Sequence, residues 1–441
     1  MKVWGVEGTG TGPGHGRDDG GRTTVRGRAR ALGLFVPMLT VALAASACSG
    51  SAHQASEMPA GTTSSGSTSV VTSGASAPLA SASPAAASAP VVSVSTNDSG
   101  KAYPDRPLHV TASSGHVTSV TVTDEGGAAV PGTLAGDGTW TPARTFKVST
   151  TYSVTAVAES DGGDSAQSHL QFTTLAAGRR ITIASITPLD GETVGVGLPI
   201  SVVFMHSVEN RAEVERQLTV DARPAVTGAW HWISSTRVDY RPQWYWASGT
   251  HVTLALNLNG VSDGNGRWGA RDLSRSFTIG SSLVAVVNIK THRMTVTRDG
   301  KLLRNLPTGT GKPGYDTWGG TMVVLGKLPV VEMDSCSVHI ACDPGSPIYY
   351  KMKVNDDVRL TPSGTFVHAA PWDYQIGKAN ISHGCIHLRV SDAAWFYGLA
   401  KLGDVVTVVG APHQVAVDNG FGDWNLSWAQ WLAGSALHTA A

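Results

Sequence analysis

The stretch FVHAAPWDYQIGKANISHGCIHL, residues 366–388, sets one cysteine among three histidines. It opens on an extended run, TFVHAA, passes through Pro, Asp, Gly and Asn, and resumes at CIHL, so it reads as strand, loop, strand. His368 closes the first strand, Cys385 follows the loop, and His383 and His387 flank the sulfur two residues to either side. A thiol nucleophile, a zinc site and ordinary core are the three candidate explanations. Zinc fits badly: HGCIH lacks the glutamate and the ligand spacing of zinc motifs, and Gly384 and Ile386 make a poor helix. Neither a metal nor another cofactor is expected. Core packing accounts for one histidine more easily than for three around one thiol.

The nucleophile reading has a physical route. A free thiol titrates near 8.5, so it needs a neighbouring imidazole to take its proton. Two strand ends at one sheet edge could bring His368 and Cys385 within hydrogen-bond reach. Gly384 would let the backbone approach a substrate closely, with the N–H groups of 384–386 facing a developing oxyanion.

Cysteine usage narrows the setting. RTTVRGRAR is followed by the apolar ALGLFVPMLTVALAASA and then Cys48. This is the pattern of an export signal, too short for a spanning helix and interrupted by Pro37. The ASAC ending resembles a lipobox, with Cys48 as the residue to be lipidated, so residues 1–48 are expected to be a lipoprotein signal peptide. In an oxidising envelope Cys336 and Cys342, in CSVHIAC, are spaced for a local disulfide. That pairing leaves Cys385 as the odd thiol.

The whole chain has 441 residues, room for two to four domains. Its 33 basic and 33 acidic residues balance, which gives no electrostatic footprint for nucleic acid. Residues 49–98 are Ser, Ala, Thr, Pro and Gly with almost no large apolar side chains, so they are expected to form a flexible linker with a relaxed span of about 40 Å. Short alternating runs broken by Gly and Asp turns predict a small antiparallel sandwich over 99–176, with Tyr152, Val154, Ala156 and Ala158 on one face. A second is predicted over 177–280. Its aromatics Trp230, Trp232, Tyr240, Trp244, Tyr245 and Trp246 could hold sugar rings but are read as core and interface. Residues 281–411 are mostly sheet. They start with a hairpin at Asp299-Gly300 and carry one main helix, DAAWFYGLAKL, capped by Ser391 and stopped by Gly403. The 412–441 tail sets Trp424, Trp428 and Trp431 at helical spacing and is expected to pack on the catalytic domain.

SHGCIHL preceded by FVHAAPW resembles the signature of the L,D-transpeptidases, cysteine enzymes that cross-link peptidoglycan stem peptides. The order of signal, tether, two sandwiches, β-domain and Trp-rich tail is similar to the multidomain actinobacterial members. The resemblance implies a mainly β fold: two immunoglobulin-like β-sandwich modules, a YkuD-like catalytic domain with one main helix, and a helical tail. It assigns the nucleophile to Cys385 and the base to His368, oriented by the Ala369 carbonyl, with His383 and Gly384 completing the loop. Met333, Tyr349, Tyr350, Trp372, Ser382 and His387 become candidate substrate contacts, Met333 and the tyrosines on a lid that includes Cys336 and Cys342. Relatives commonly carry Asn or Arg where this chain has His387. The implied reaction forms 3→3 cross-links from a tetrapeptide donor and a diamino-acid side-chain amine through a Cys385 thioester, with release of D-Ala. Carbapenems are the implied inhibitors, and the membrane is met by the lipid anchor alone. Alternatives are an L,D-carboxypeptidase using the same thioester, and a non-catalytic wall-binding lipoprotein.

Overall fold

Alternating valines form a strand inside the span read as linker. The computed structural model describes residues 89–96 and 102–438; the signal segment, Cys48 and most of the expected linker lie outside them. Within the span read as linker, Val91–Thr96 is a strand paired antiparallel with Leu108–Ser113. VVSVST has the period-two pattern of a half-buried strand, and the surrounding Ser/Ala composition hides it.

The first sandwich sets that sheet against a three-stranded one made of His116–Asp124, Thr151–Glu159 and Ser165–Thr173. Tyr152, Val154, Ala156 and Ala158 are all buried, as alternation requires. Tyr152 lies 4.7 Å from the Phe146 ring, and its hydroxyl accepts the Lys147 N–H at 2.8 Å.

The second sandwich pairs two four-stranded sheets. Trp230, Trp232, Tyr240 and Trp246 fill its core, whereas Trp244 is exposed. Val323 and Val405 of the following domain belong to the same buried cluster. Two glycines permit this approach: a Cβ on Gly195 would meet the Asp404 N at 2.3 Å, and one on Gly197 the Val405 Cγ2 at 2.6 Å. Their N–H groups donate to the Leu402 and Gly403 carbonyls at 2.7 and 2.9 Å.

The third region starts with the expected two-residue hairpin. Asp299 and Gly300 both have positive φ, 49° and 76°, the geometry that suits the strand twist. It joins Arg293–Arg298 to Lys301–Pro307. Leu283–Asn288 then pairs in parallel with Val405–Val409. A second sheet runs Gly326–Asp334, Lys351–Arg359, Phe366–Ala369 and Ile386–Leu388. The helix Val390–Leu399 buries Ala393 and Phe396 under it. It departs from the expected caps: Arg389 takes the N-cap position without a side-chain bond, and Ser391 lies inside the first turn. The helix stops before Gly403 because Ala400 is extended and the Lys401 N–H is drawn to the Asp404 carboxylate at 2.8 Å.

The tail corrects the expectation that it packs on the catalytic domain alone. Asn425 does bond that domain, at the Thr321 N–H and carbonyl. The tryptophans, however, go to the second sandwich: Trp424 donates to the Gly197 carbonyl at 2.7 Å and Trp431 to the Ala229 carbonyl at 2.9 Å. The Arg241 guanidinium sits over the rings of Trp424, Trp428 and Trp431, which gives the helix Trp428–Ala433 a cation–π anchor. A capping box between Ser427 and Gln430 starts that helix.

Candidate active site

The site is built on one face of the second sheet. Phe366–Ala369 and Ile386–Leu388 run parallel, with Val367 opposite Ile386, His368 opposite His387 and Ala369 opposite Leu388. Side chains alternate across a sheet. Val367, Ala369, Ile386 and Leu388 therefore share the face buried in the core with Phe396, and His368 and His387 share the other. One step back along the register brings Cys385 level with Phe366, on the histidine face. Its Cα lies diagonally from that of His368 at about 8 Å by strand spacing and rise, within joint reach of an imidazole and a thiol. On the far side Val358 pairs with Val367 and Arg359 with Phe366, so Asp357, the next residue in that register, comes level with His368.

The loop before the sulfur is pinned through hydroxyls. Ser382 Oγ donates to the Cys385 carbonyl at 2.6 Å and accepts the Gly384 N–H at 3.1 Å. Thr317 Oγ1 donates to the Gly384 carbonyl at 3.0 Å and accepts the Gly311 N–H at 2.9 Å. Gly384 has φ of 117°, a region that penalises any Cβ. The expectation that its N–H faces an oxyanion is corrected: that donor is engaged by Ser382, which fixes the turn instead.

Cys385 is partly exposed as a residue, but its sulfur points inward and donates to the Gly364 carbonyl at 3.5 Å. Burial pushes the thiol up to about 11; a hydrogen bond from the Phe366 N–H works the other way, and the nearby Asp357 adds to the rise. His368 is 3% exposed, and its Nδ1 meets the Ala369 carbonyl at 2.8 Å. That bond sets the neutral tautomer with Nε2 left to receive a proton. Burial, then the neighbouring His387, pull His368 down to about 3, with the Ala369 carbonyl opposing. Both shifts favour the neutral forms, a thiol and an imidazole, at rest. Alkylation of Cys385 by a small thiol reagent is accordingly expected to accelerate about tenfold per pH unit up to at least pH 9. A rate already flat between pH 6 and 8 would show a preformed thiolate–imidazolium pair instead.

His387 is paired with a carboxylate. Its Nδ1 meets Asp373 Oδ2 at 2.7 Å, and both residues are buried. Burial opposes ionisation of Asp373, but the hydrogen bonds from His387 and from the Gln375 N–H outweigh it and hold the carboxyl below its usual range. The His387 ring stands edge-on to His368 at 4.9 Å and to Trp372 at 6.1 Å. His383 goes elsewhere again, between Tyr315 at 4.8 Å and Tyr350 at 5.2 Å. The three imidazoles thus have three separate partners.

Two family models match the chain: a bacterial Ig domain over residues 99–262, and the L,D-transpeptidase catalytic domain over residues 282–408. L,D-transpeptidase 2 of Mycobacterium tuberculosis (strain CDC 1551 / Oshkosh) is 34% identical over 335 residues, covering 75% of this chain and 81% of that protein. This chain belongs to the L,D-transpeptidase family. L,D-transpeptidase 5 of Mycobacterium tuberculosis (strain ATCC 25618 / H37Rv) is 30% identical over 76% of this chain and 74% of its own. A solved structure of the L,D-transpeptidase LdtMt1 in complex with imipenem is 34% identical and covers 52% of this chain and 99% of that one, at a TM-score of 0.46.

In this L,D-transpeptidase the remaining expected contacts divide. Tyr350 faces the site, and its hydroxyl, lifted to about 12 by burial and then by Cys385 and Asp334, stays protonated. Trp372 is 40% exposed, with His368 and His387 at 6.1 Å. Met333 pairs with Met352 in the strand pair Gly326–Asp334 and Lys351–Arg359, and the Tyr349 N–H bonds back to the Ser346 carbonyl; neither lies on the strands of His368 and His387. Cys336 and Cys342 form a disulfide in the connection between the strands Gly326–Asp334 and Lys351–Arg359, where Ser335 Oγ donates to the Ala341 carbonyl and accepts the Tyr350 N–H.

Sequence reasoning missed Asp357 and Asp373. Asp373 stands in the opening stretch, immediately after Trp372, and carries a readable signal as an acid among histidines. Asp357 gives no such signal, because only strand register brings it level with His368. It is fully buried, and burial raises it to about 7 against a backbone hydrogen bond from Val331.

Proposed function

We propose that the chain is an exported L,D-transpeptidase working by cysteine acyl transfer. Cys385 attacks the carbonyl of the diamino-acid residue of a donor tetrapeptide stem, and His368 takes the thiol proton and passes it to the departing D-Ala amine. A second stem's side-chain amine then displaces sulfur and closes a 3→3 cross-link. Amide to thioester to amide conserves acyl reactivity where no ATP is available. The observation that supports this best is the parallel strand pair, which sets Cys385 and His368 on one face while Ala369 holds the imidazole tautomer. Ser382 and Gly384 keep the nucleophile loop in place, and Tyr350 and Trp372 form walls around the acyl group. The signal segment with Cys48 supports a lipid-anchored position outside the cytoplasmic membrane, and a carbapenem would be trapped on the same sulfur.

Water reaching the thioester would turn this site into an L,D-carboxypeptidase. Incubating the protein with tetrapeptide muropeptides separates the readings. Cross-linked dimers with release of D-Ala are expected. Tripeptide alone would establish the hydrolase, and no reaction would sink both.

A further inference from the structure

The second half-reaction has a proton problem that His368 alone does not solve. A stem amine arrives as an ammonium near neutral pH. It must lose one proton to become a nucleophile and a second once its nitrogen is bonded to the acyl carbon. Only one of these is consumed, in returning Cys385 to the thiol. Buried His368, with the Ala369 carbonyl on Nδ1, offers one nitrogen and has no carboxylate bonded to it. Beside it stands an imidazole that does have one.

We propose that the His387–Asp373 pair is a second base, dedicated to the acceptor amine. His387 is two residues from Cys385 on the same sheet face, about 7 Å between Cα atoms by strand rise. Its Nδ1 is held by Asp373 at 2.7 Å, so Nε2 is the nitrogen available to a ligand, as in other carboxylate-oriented histidines. The pair is locked on every side. The His387 N–H and carbonyl bond Gly309, and Thr308 Oγ1 donates to the same carbonyl at 2.9 Å. The Asp373 N–H donates to the Ala370 carbonyl, and its second oxygen accepts the Gln375 N–H at 2.9 Å. Edge contact with His368 and Trp372 puts His387 on the wall of the cleft beside the acyl group.

The step balances as follows. His387 Nε2 takes one proton from the acceptor ammonium, and Asp373 supplies the counter-charge. The freed amine forms the N–C bond at the thioester carbon. His368 takes the second proton, the C–S bond breaks, and His368 returns that proton to the Cys385 thiolate. His387 then loses its proton to solvent as product leaves.

This rests on the transpeptidase reading, and the test keeps the two apart. The full chain and its His387→Asn and Asp373→Asn variants are given a tetrapeptide donor, and the D-Ala burst is measured separately from resolution by amines. Lysine, charged near neutral pH, is compared with methoxyamine, which is not. In His387→Asn the expected loss of lysine aminolysis is about 100-fold, against less than about fivefold for methoxyamine and for the D-Ala burst. Asp373→Asn keeps a hydrogen-bond acceptor for Nδ1 and should show the same selectivity at a smaller loss. Equal losses for both amines, or a burst slowed as much as aminolysis, would mean that the pair only props up His368 and would overturn the proposal. Absence of a burst in the unmutated protein would overturn the transpeptidase reading, and this proposal with it.

Discussion

Cys385→Ala is expected to eliminate the carbapenem adduct in intact-mass measurements and to lower muropeptide cross-linking at least about 10⁴-fold, since it removes the sulfur proposed to carry the acyl chain. His368→Gln should be severe in a different way. The amide cannot take the thiol proton, so cross-linking should fall by about 10²–10⁴, yet the sulfur should still be alkylated by a small reagent at alkaline pH. The two variants together separate the roles: one removes the bond-forming atom, the other the proton path to it. A Cys385→Ala protein that still gained the mass of the carbapenem would place the nucleophile elsewhere and end the cysteine mechanism.

The largest effect on stability is expected at Trp431→Ala. This side chain is fully buried. It donates to the Ala229 carbonyl at 2.9 Å, stacks on His231 with ring centroids 4.6 Å apart and backs the Arg241 guanidinium. Truncating a buried tryptophan costs about 3–5 kcal/mol through lost burial and the cavity left behind. The Ala229 carbonyl would also lose its partner, and Arg241 one of its three rings. Thermal or denaturant unfolding should show the loss as an earlier transition; a change under about 1 kcal/mol would show that the tail merely rests on the sandwich. Reaction at Cys385 below the new transition should survive, because among the described residues no tail side chain bonds to or stacks on His368, His383 or His387.

Much of the active site is legible because its chemistry is local. SHGC and the preceding FVHA hold the proposed nucleophile, the proposed base and the turn glycine within one stretch, and strand alternation alone puts sulfur and imidazole on a common face. What lies further off is lost. The partner of His387 is 14 residues away, and only the folded loop from Pro371 to Ile381 brings it back. Asp357 depends on the register of a separate strand. At the fold level, Tyr152 to Ala158 and the Asp299-Gly300 hairpin follow from period and turn chemistry. The Val91–Thr96 strand does not stand out, because serine and threonine on its outward face resemble the linker before it. Ser391 misleads as a cap for the opposite reason: a suitable residue is present, but the chain enters the helix two residues earlier, at Arg389, straight from the Ile386–Leu388 strand. The destination of the tail tryptophans depended on cationic Arg241, far away in sequence, which no periodicity reveals.

The close approach of Gly195 and Gly197 to Asp404 and Val405 makes the junction behave as a weld rather than a hinge. The Val405 strand lies within the first sheet of the catalytic region, so aim is set by two missing methyl groups instead of by a flexible connector. A side chain introduced at either glycine would pry the sandwich from the machinery beside it.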